Sequence, residues 1–148
     1  MGVLSRARAL LAALWAGELL CIAAIAAPSA FAVLDRPQAA VLVGRLFEID
    51  AQVGLACGLL LVMMERRLQR DAAEGARVFS AELLLPLMAL LCVVAGYYGL
   101  QPLMAAARAG QGDIGFGALH GASMLFFVIK LLAVLALAWR ASSRGAAS

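Results

Sequence analysis

Six ionisable side chains interrupt long apolar stretches of this chain: Glu18, Arg45, Glu48, Asp50, His120 and Lys130. An ionisable group held away from water is costly, so each is a candidate for function by default. Helix rise gives their depth. Lys130 precedes Arg140 by ten residues, which places it roughly 15 Å from that edge. Glu18 follows Ala7 by eleven residues, roughly 16 Å from the same edge. The two share a level, and the sequence predicts a Glu18–Lys130 pair between the first and fourth helices. The competing reading has Lys130 snorkelling alone to the edge and Glu18 protonated. Arg45, Glu48 and Gln52 stand at i, i+3 and i+7, one helical face on which Arg45 and Glu48 can pair. Asp50 points about 140° away from Arg45 and about 200° from Glu48. It therefore belongs to a different environment, and Glu48 with Asp50 makes a poor acid/base couple.

His120 is the single histidine. Met124 follows one helical turn later, and Met104 closes the third apolar stretch at a similar depth. An imidazole with two thioethers suits a soft metal such as Cu(I), and an imidazole alone can be an axial haem ligand. Against both stands ordinary packing plus one hydrogen bond, since no second histidine and no Cys-x-x-Cys is present. No cofactor is expected. A carboxylate beside His120, such as Glu48, would make a proton-linked site. Cys21, Cys57 and Cys92 each lie in apolar surroundings, where free cysteine behaves as a small hydrophobe. No nucleophile motif, phosphate loop or zinc-protease motif occurs, and no enzymatic activity is expected.

The elements that must position these groups follow from composition. The 148 residues are 65% hydrophobic and 14% charged, with mean hydropathy +0.96. A soluble domain is about 45–50% apolar and about 25% charged, so lipid is the expected solvent. A bilayer span needs about 20 apolar residues, and the chain divides into four. The expected fold class is all-α, an integral membrane four-helix bundle forming a single domain over residues 1–148. Its spans cover about 7–34, 38–64, 80–106 and 114–139, with a polar connector at 65–79. Runs this long without period-2 alternation do not read as barrel strands.

Local signals refine this. The first apolar run is too long for a signal peptide's core and carries Glu18, so it reads as a retained helix. Leu20 before Cys21 is too large for a lipoprotein signal. Pro28 is expected to kink the outer part of this helix. Asp35 is a candidate N-cap for the second span. Gly54 and Gly58 form a small-xxx-small contact within a stripe that includes Gly44 and Ala51. Gly75 should break the connector. Tyr97 and Tyr98 suit a membrane interface, as does Trp139, and the tail from Ala141 reads as disordered. Arg6, Arg8, Arg66, Arg67, Arg70, Arg77, Arg140 and Arg144 fall on one side, Arg36 and Arg108 on the other. The positive-inside rule puts both termini in the cytoplasm. The net charge of +3 is thus a topology signal, and no basic stripe with interleaved aromatics points to nucleic acid.

A family resemblance rests on short motifs in a fixed order. Trp15-Ala16-Gly17, Ala27-Pro28, Phe31 and Gly44-Arg45-Leu46-Phe47 resemble the first half of the transmembrane protein 205-like family, whose bacterial members are grouped as domain of unknown function 4149. Pro102-Leu103-Met104, Arg108 and Phe116-Gly117-Ala118-Leu119-His120-Gly121-Ala122-Ser123 resemble its second half. The resemblance runs from about Leu10 to Lys130. It departs at Ala39-Ala40, where Ala-Gly is commoner, and Arg45 to Asp50 is richer in charge. It implies a small four-helix protein of the bacterial inner membrane, with no established activity. A looser similarity is to four-helix units of copper-resistance and haem-handling membrane proteins, which keep more histidines.

These readings leave three functions open. The first is transport or binding of a small solute or ion, with a homo-oligomer supplying the space. The second is non-catalytic assembly, using the connector as partner surface. The third is soft-metal or haem binding through His120, Met104 and Met124.

Overall fold

The computed structural model describes residues 2–71 and 80–146, with side chains to residue 143. Every regular element among the described residues is helical. Four helices are long and apolar enough to cross a membrane: α1 (Val3–Val33), α2 (Arg36–Asp71), α3 (Ala81–Arg108) and α4 (Phe116–Ala146).

The boundaries have local causes. The backbone N–H of Gln38 donates to Asp35 Oδ1 at 3.0 Å, so Asp35 caps α2 as its side chain allows. Ser80 caps α3 by accepting from the Leu83 N–H at 3.3 Å. Between α3 and α4, Gly110 and Gly112 have φ of 70° and 95°, a backbone region where a side chain is strained. The charged run from Glu65, helix-compatible by composition, continues α2 past the apolar span to Asp71. One boundary differs from expectation. α4 carries on through Ala146, where the sequence predicts a disordered tail from Ala141. The expected break at Gly75 and the charge of Arg77 lie outside the described residues, as does the Arg144 side chain.

α1 and α3 each contain a π-helical turn, Ile22–Ala26 and Val94–Gly99. Each is followed by a proline, Pro28 and Pro102. A helical proline has no N–H for the carbonyl four residues back. Those carbonyls belong to Ala24 and Tyr98, inside the two π-turns. The widened turns absorb the missing bonds. The Ser123 hydroxyl donates to the Gly96 carbonyl at 3.2 Å and so satisfies one group in the second π-turn from outside.

The helices neighbour one another in a ring, α1 on α2, α2 on α3, α3 on α4 and α4 on α1. Near the termini the ring is closed around Trp15, Leu19, Leu61, Val134 and Leu137. A shell of ion pairs seals this end. Arg8 of α1 donates to Glu65 of α2; both are 5% exposed. Gln69 Nε2 donates to Ser80 Oγ at 2.9 Å and to Glu65 Oε1 at 3.3 Å. Ser80 Oγ also lies 3.3 Å from Glu65 Oε1, and Arg140 of α4 holds Glu82 of α3 at 2.8 Å.

Away from the termini the ring opens. The distal part of α1, Ala27–Val33, rests on α2 through Ala30, Ala39 and Val43, with no comparable packing on α4. The distal part of α3 rests on α4. Two hairpin arms, α1–α2 and α3–α4, therefore diverge from a common base.

Candidate functional site

The gap between the arms is a cleft of about 340 Å³. One wall comes from the first arm through Phe31, Val43, Gly44 and Phe47. The other comes from the second arm through Gly96, Tyr97, Met104, Ser123 and Met124. Arg108, Phe116 and His120 stand at the mouth, and Asp50 and Lys130 form the floor. Volume and character fall in the range of small-molecule sites, which are mostly apolar with few polar groups.

The floor is the most unusual chemistry in the protein. Lys130 Nζ donates to Asp50 Oδ1 at 2.9 Å and Oδ2 at 2.6 Å. Lys130 is 4% exposed and Asp50 3%. The ammonium also lies 4.8 Å from the Phe127 ring centroid, and Phe127 meets Phe47 edge to face at 5.4 Å. Charge, hydrogen bonds and an aromatic face together offset the loss of water around a buried ion.

This corrects the expected pairing. Lys130 engages Asp50, not Glu18. The depth estimate finds the right level, since Glu18 is within electrostatic range of both Asp50 and Lys130. Its error is rotational. Asp50 faces the bundle axis directly, and Lys130 reaches it across the ring. Glu18 remains beside the pair with a buried Oε2 that has no hydrogen-bond partner. Trp15 Nε1, one turn earlier, is likewise buried without a partner.

The other candidate residues separate by location. Arg45 and Glu48 pair at 2.6 Å on an exposed face, and Gln52 shares it. Glu48 thus closes on Arg45 and leaves His120 to other partners. His120 stacks on Phe116 with centroids 5.7 Å apart, and the Arg108 guanidinium lies 4.6 Å from the centroid of the same Phe116 ring. Met104 is buried and Met124 exposed on the cleft wall. No group of three or more His, Cys, Asp or Glu placed to hold a metal occurs among the described residues. Tyr97 lines the cleft while Tyr98 is exposed, and their rings meet edge to face at 5.2 Å. Cys21 is exposed, Cys57 partly buried and Cys92 buried, all as free thiols.

Motif residues serve the same frame. Trp15 is 1% exposed in the closed base, against Gly54. A Cβ on Gly58 would meet Leu90 at 2.6 Å, so the Gly54/Gly58 stripe is where α3 packs on α2. Gly17 and Gly44 have nothing within 4 Å of such a Cβ. Gly44 borders the cleft. Sequence reasoning missed Arg8, Glu65 and Glu82. They carry charges at span ends, and nothing in their spacing distinguishes an interhelical pair from a topology signal.

Four apolar membrane-length helices around a polar-floored cleft define a multi-pass α-helical membrane protein. No curated protein and no solved structure matches the chain. Residues 10–113 match a bacterial domain of unknown function, DUF4149, and the chain belongs to that family. The matched region holds most of α1 and all of α2 and α3. The His120 and Ser123 motif lies beyond it.

Proposed function

We propose that this protein binds a small amphipathic organic anion in the cleft between its arms, as a non-enzymatic solute-binding or transport protein of the bacterial inner membrane. The supporting observation is the cleft itself, which joins aromatic and thioether walls to a cationic group. Arg108 at the mouth supplies the cationic charge on the lining, since Lys130 and Asp50 at the floor neutralise each other. An apolar body would lie against Phe31, Phe47 and Tyr97, and an anionic head would meet the guanidinium. The charge bias of the loops supports cytoplasmic termini and a mouth facing the periplasm. One chain contains the whole cleft, so a ligand site does not require a second copy; the oligomeric state bears on transport.

Binding of a phenylalkyl carboxylate to the protein in lipid nanodiscs, measured by isothermal titration, tests this. The acid binds and its neutral amide analogue binds more weakly. Arg108→Gln weakens the acid by roughly tenfold, about 1.4 kcal/mol. Gly44→Phe fills the cleft from a position with free space around it and abolishes binding. Val41→Phe, 76% exposed on the outer face, leaves it unchanged. Equal binding of acid and amide, or equal effects of the two phenylalanines, would overturn the reading.

The convergence of His120, Met104 and Met124 on the same cleft favours a second reading, a soft cation such as Cu(I). In that case the carboxylate fails to bind, and Cu(I) is retained by the wild type and lost on His120→Ala.

A further inference from the structure

Behind the cleft floor, a second carboxylate stands near a buried ion pair without joining it. Asp50 on α2 holds Lys130 of α4 through both oxygens. Glu18 on α1 lies within electrostatic range of both, and its Oε2 is buried without a hydrogen-bond partner. The remaining titratable groups that face this cluster are thiols, Cys57 of α2 toward Glu18 and Cys92 of α3 toward Lys130. Among the described residues no further cation is available there to balance a second carboxylate. Glu18 is half-buried, but its Oε2 is shut off from water and from any partner, so two anions beside one cation leave an uncompensated charge, a costly arrangement that a bound proton removes. The carboxylate with two short bonds to Lys130 is the one that stays ionised. The carboxylate with an unpartnered oxygen is the one that takes the proton.

We propose that Glu18 is a proton-binding site, a neutral carboxylic acid at neutral pH while Asp50 and Lys130 are ionised. The proton is not fixed to Glu18 by its own surroundings alone. It is placed there by the engagement of Lys130 with Asp50. If Asp50 loses its charge, Lys130 has only Glu18 left as counter-ion. Glu18 then releases its proton to water and becomes the carboxylate of the pair. The cluster is thus neutral in both states and holds one proton fewer on Glu18 in the second. This inference concerns the groups behind the floor and stands whether or not the cleft takes an organic anion.

Infrared spectroscopy of the full chain in lipid tests it through the carbonyl stretch of a protonated carboxyl group, identified by its shift on exchange into heavy water. The wild type shows this band at neutral pH, and Glu18→Gln removes it. Asp50→Asn also removes it, although that substitution leaves Glu18 in place. Asp50→Asn combined with Lys130→Met restores it, because Glu18 then has no counter-ion. Absence of the band from the wild type overturns the proposal, as does its survival in Glu18→Gln or in Asp50→Asn. Circular dichroism and size-exclusion profiles establish that each variant is folded. If Asp50→Asn does not fold, the wild-type band and its loss in Glu18→Gln decide the matter.

Discussion

Gly96→Ala measures how tightly the second arm is built. A Cβ on Gly96 would lie 2.5 Å from Phe126 Cβ and 3.1 Å from Phe126 Cγ. Carbon atoms in good contact are about 3.5–4.0 Å apart, so the shortfall is about 1 Å. Phe126 Cβ is fixed to the α4 backbone and no change of rotamer moves it. α3 and α4 must part. Overpacking of this kind costs about 1–3 kcal/mol. Parting by about 1 Å also takes the Ser123 hydroxyl, 3.2 Å from the Gly96 carbonyl, out of hydrogen-bond range. That loss adds about 1 kcal/mol. Alanine's better helix propensity returns about 1 kcal/mol. The net expectation is a destabilisation of about 1–3 kcal/mol. Gly44→Ala is the control, since nothing lies within 4 Å of its added Cβ, and it should be neutral or stabilising by up to about 1 kcal/mol. Reversible unfolding of both variants in mixed micelles by a denaturing detergent provides the assay. Equal stability of Gly96→Ala and Gly44→Ala would refute the argument that these two helices touch at their backbones.

Two further outcomes follow from the ion pairs. Arg8→Met leaves Glu65 buried without a counter-charge, held only by Gln69 and Ser80, and thermal unfolding should register a loss of about 3–5 kcal/mol; Arg67→Met, which breaks an exposed pair with Asp71 one turn away, should change stability by no more than about 0.5 kcal/mol. Lys130→Met should cost about 3–5 kcal/mol, and adding Asp50→Leu should recover most of it, so a double-mutant cycle on melting curves that found simple additivity would contradict the pairing.

Much of the architecture was legible in the chain. Hydropathy gives four spans because lipid requires apolar length and little else. Asp35 could be recognised as a cap and Arg45–Glu48 as a pair because both depend on spacing within one helix. Pro28 announced local distortion, though not that it would appear as a π-turn, while Pro102 was legible only as a motif residue. The partner of Lys130 was less accessible. Depth along a helix follows from residue counting, but the choice between Glu18 and Asp50 depends on how each helix is rotated about its axis, and tertiary packing sets that. The cleft was hidden for the same reason. Phe31, Gly44, Tyr97 and Met124 are ordinary membrane residues until two arms diverge and leave them facing one another. Arg8 and Glu65 show the opposite case, charges that mark a membrane edge in sequence yet end up 5% exposed between helices.

The ring of helices is, mechanically, a four-sided frame. Each side is a packed seam between neighbours, and a frame of four sides can shear unless something braces its diagonal. α2 and α4 stand at opposite corners, and Asp50–Lys130, with Phe47 against Phe127 beside it, reaches from one to the other. The brace is made of side chains and sits where the base gives way to the arms. Whatever detaches Lys130 from Asp50 therefore removes one of the two contacts that brace this diagonal, and leaves the aromatic pair to hold it alone.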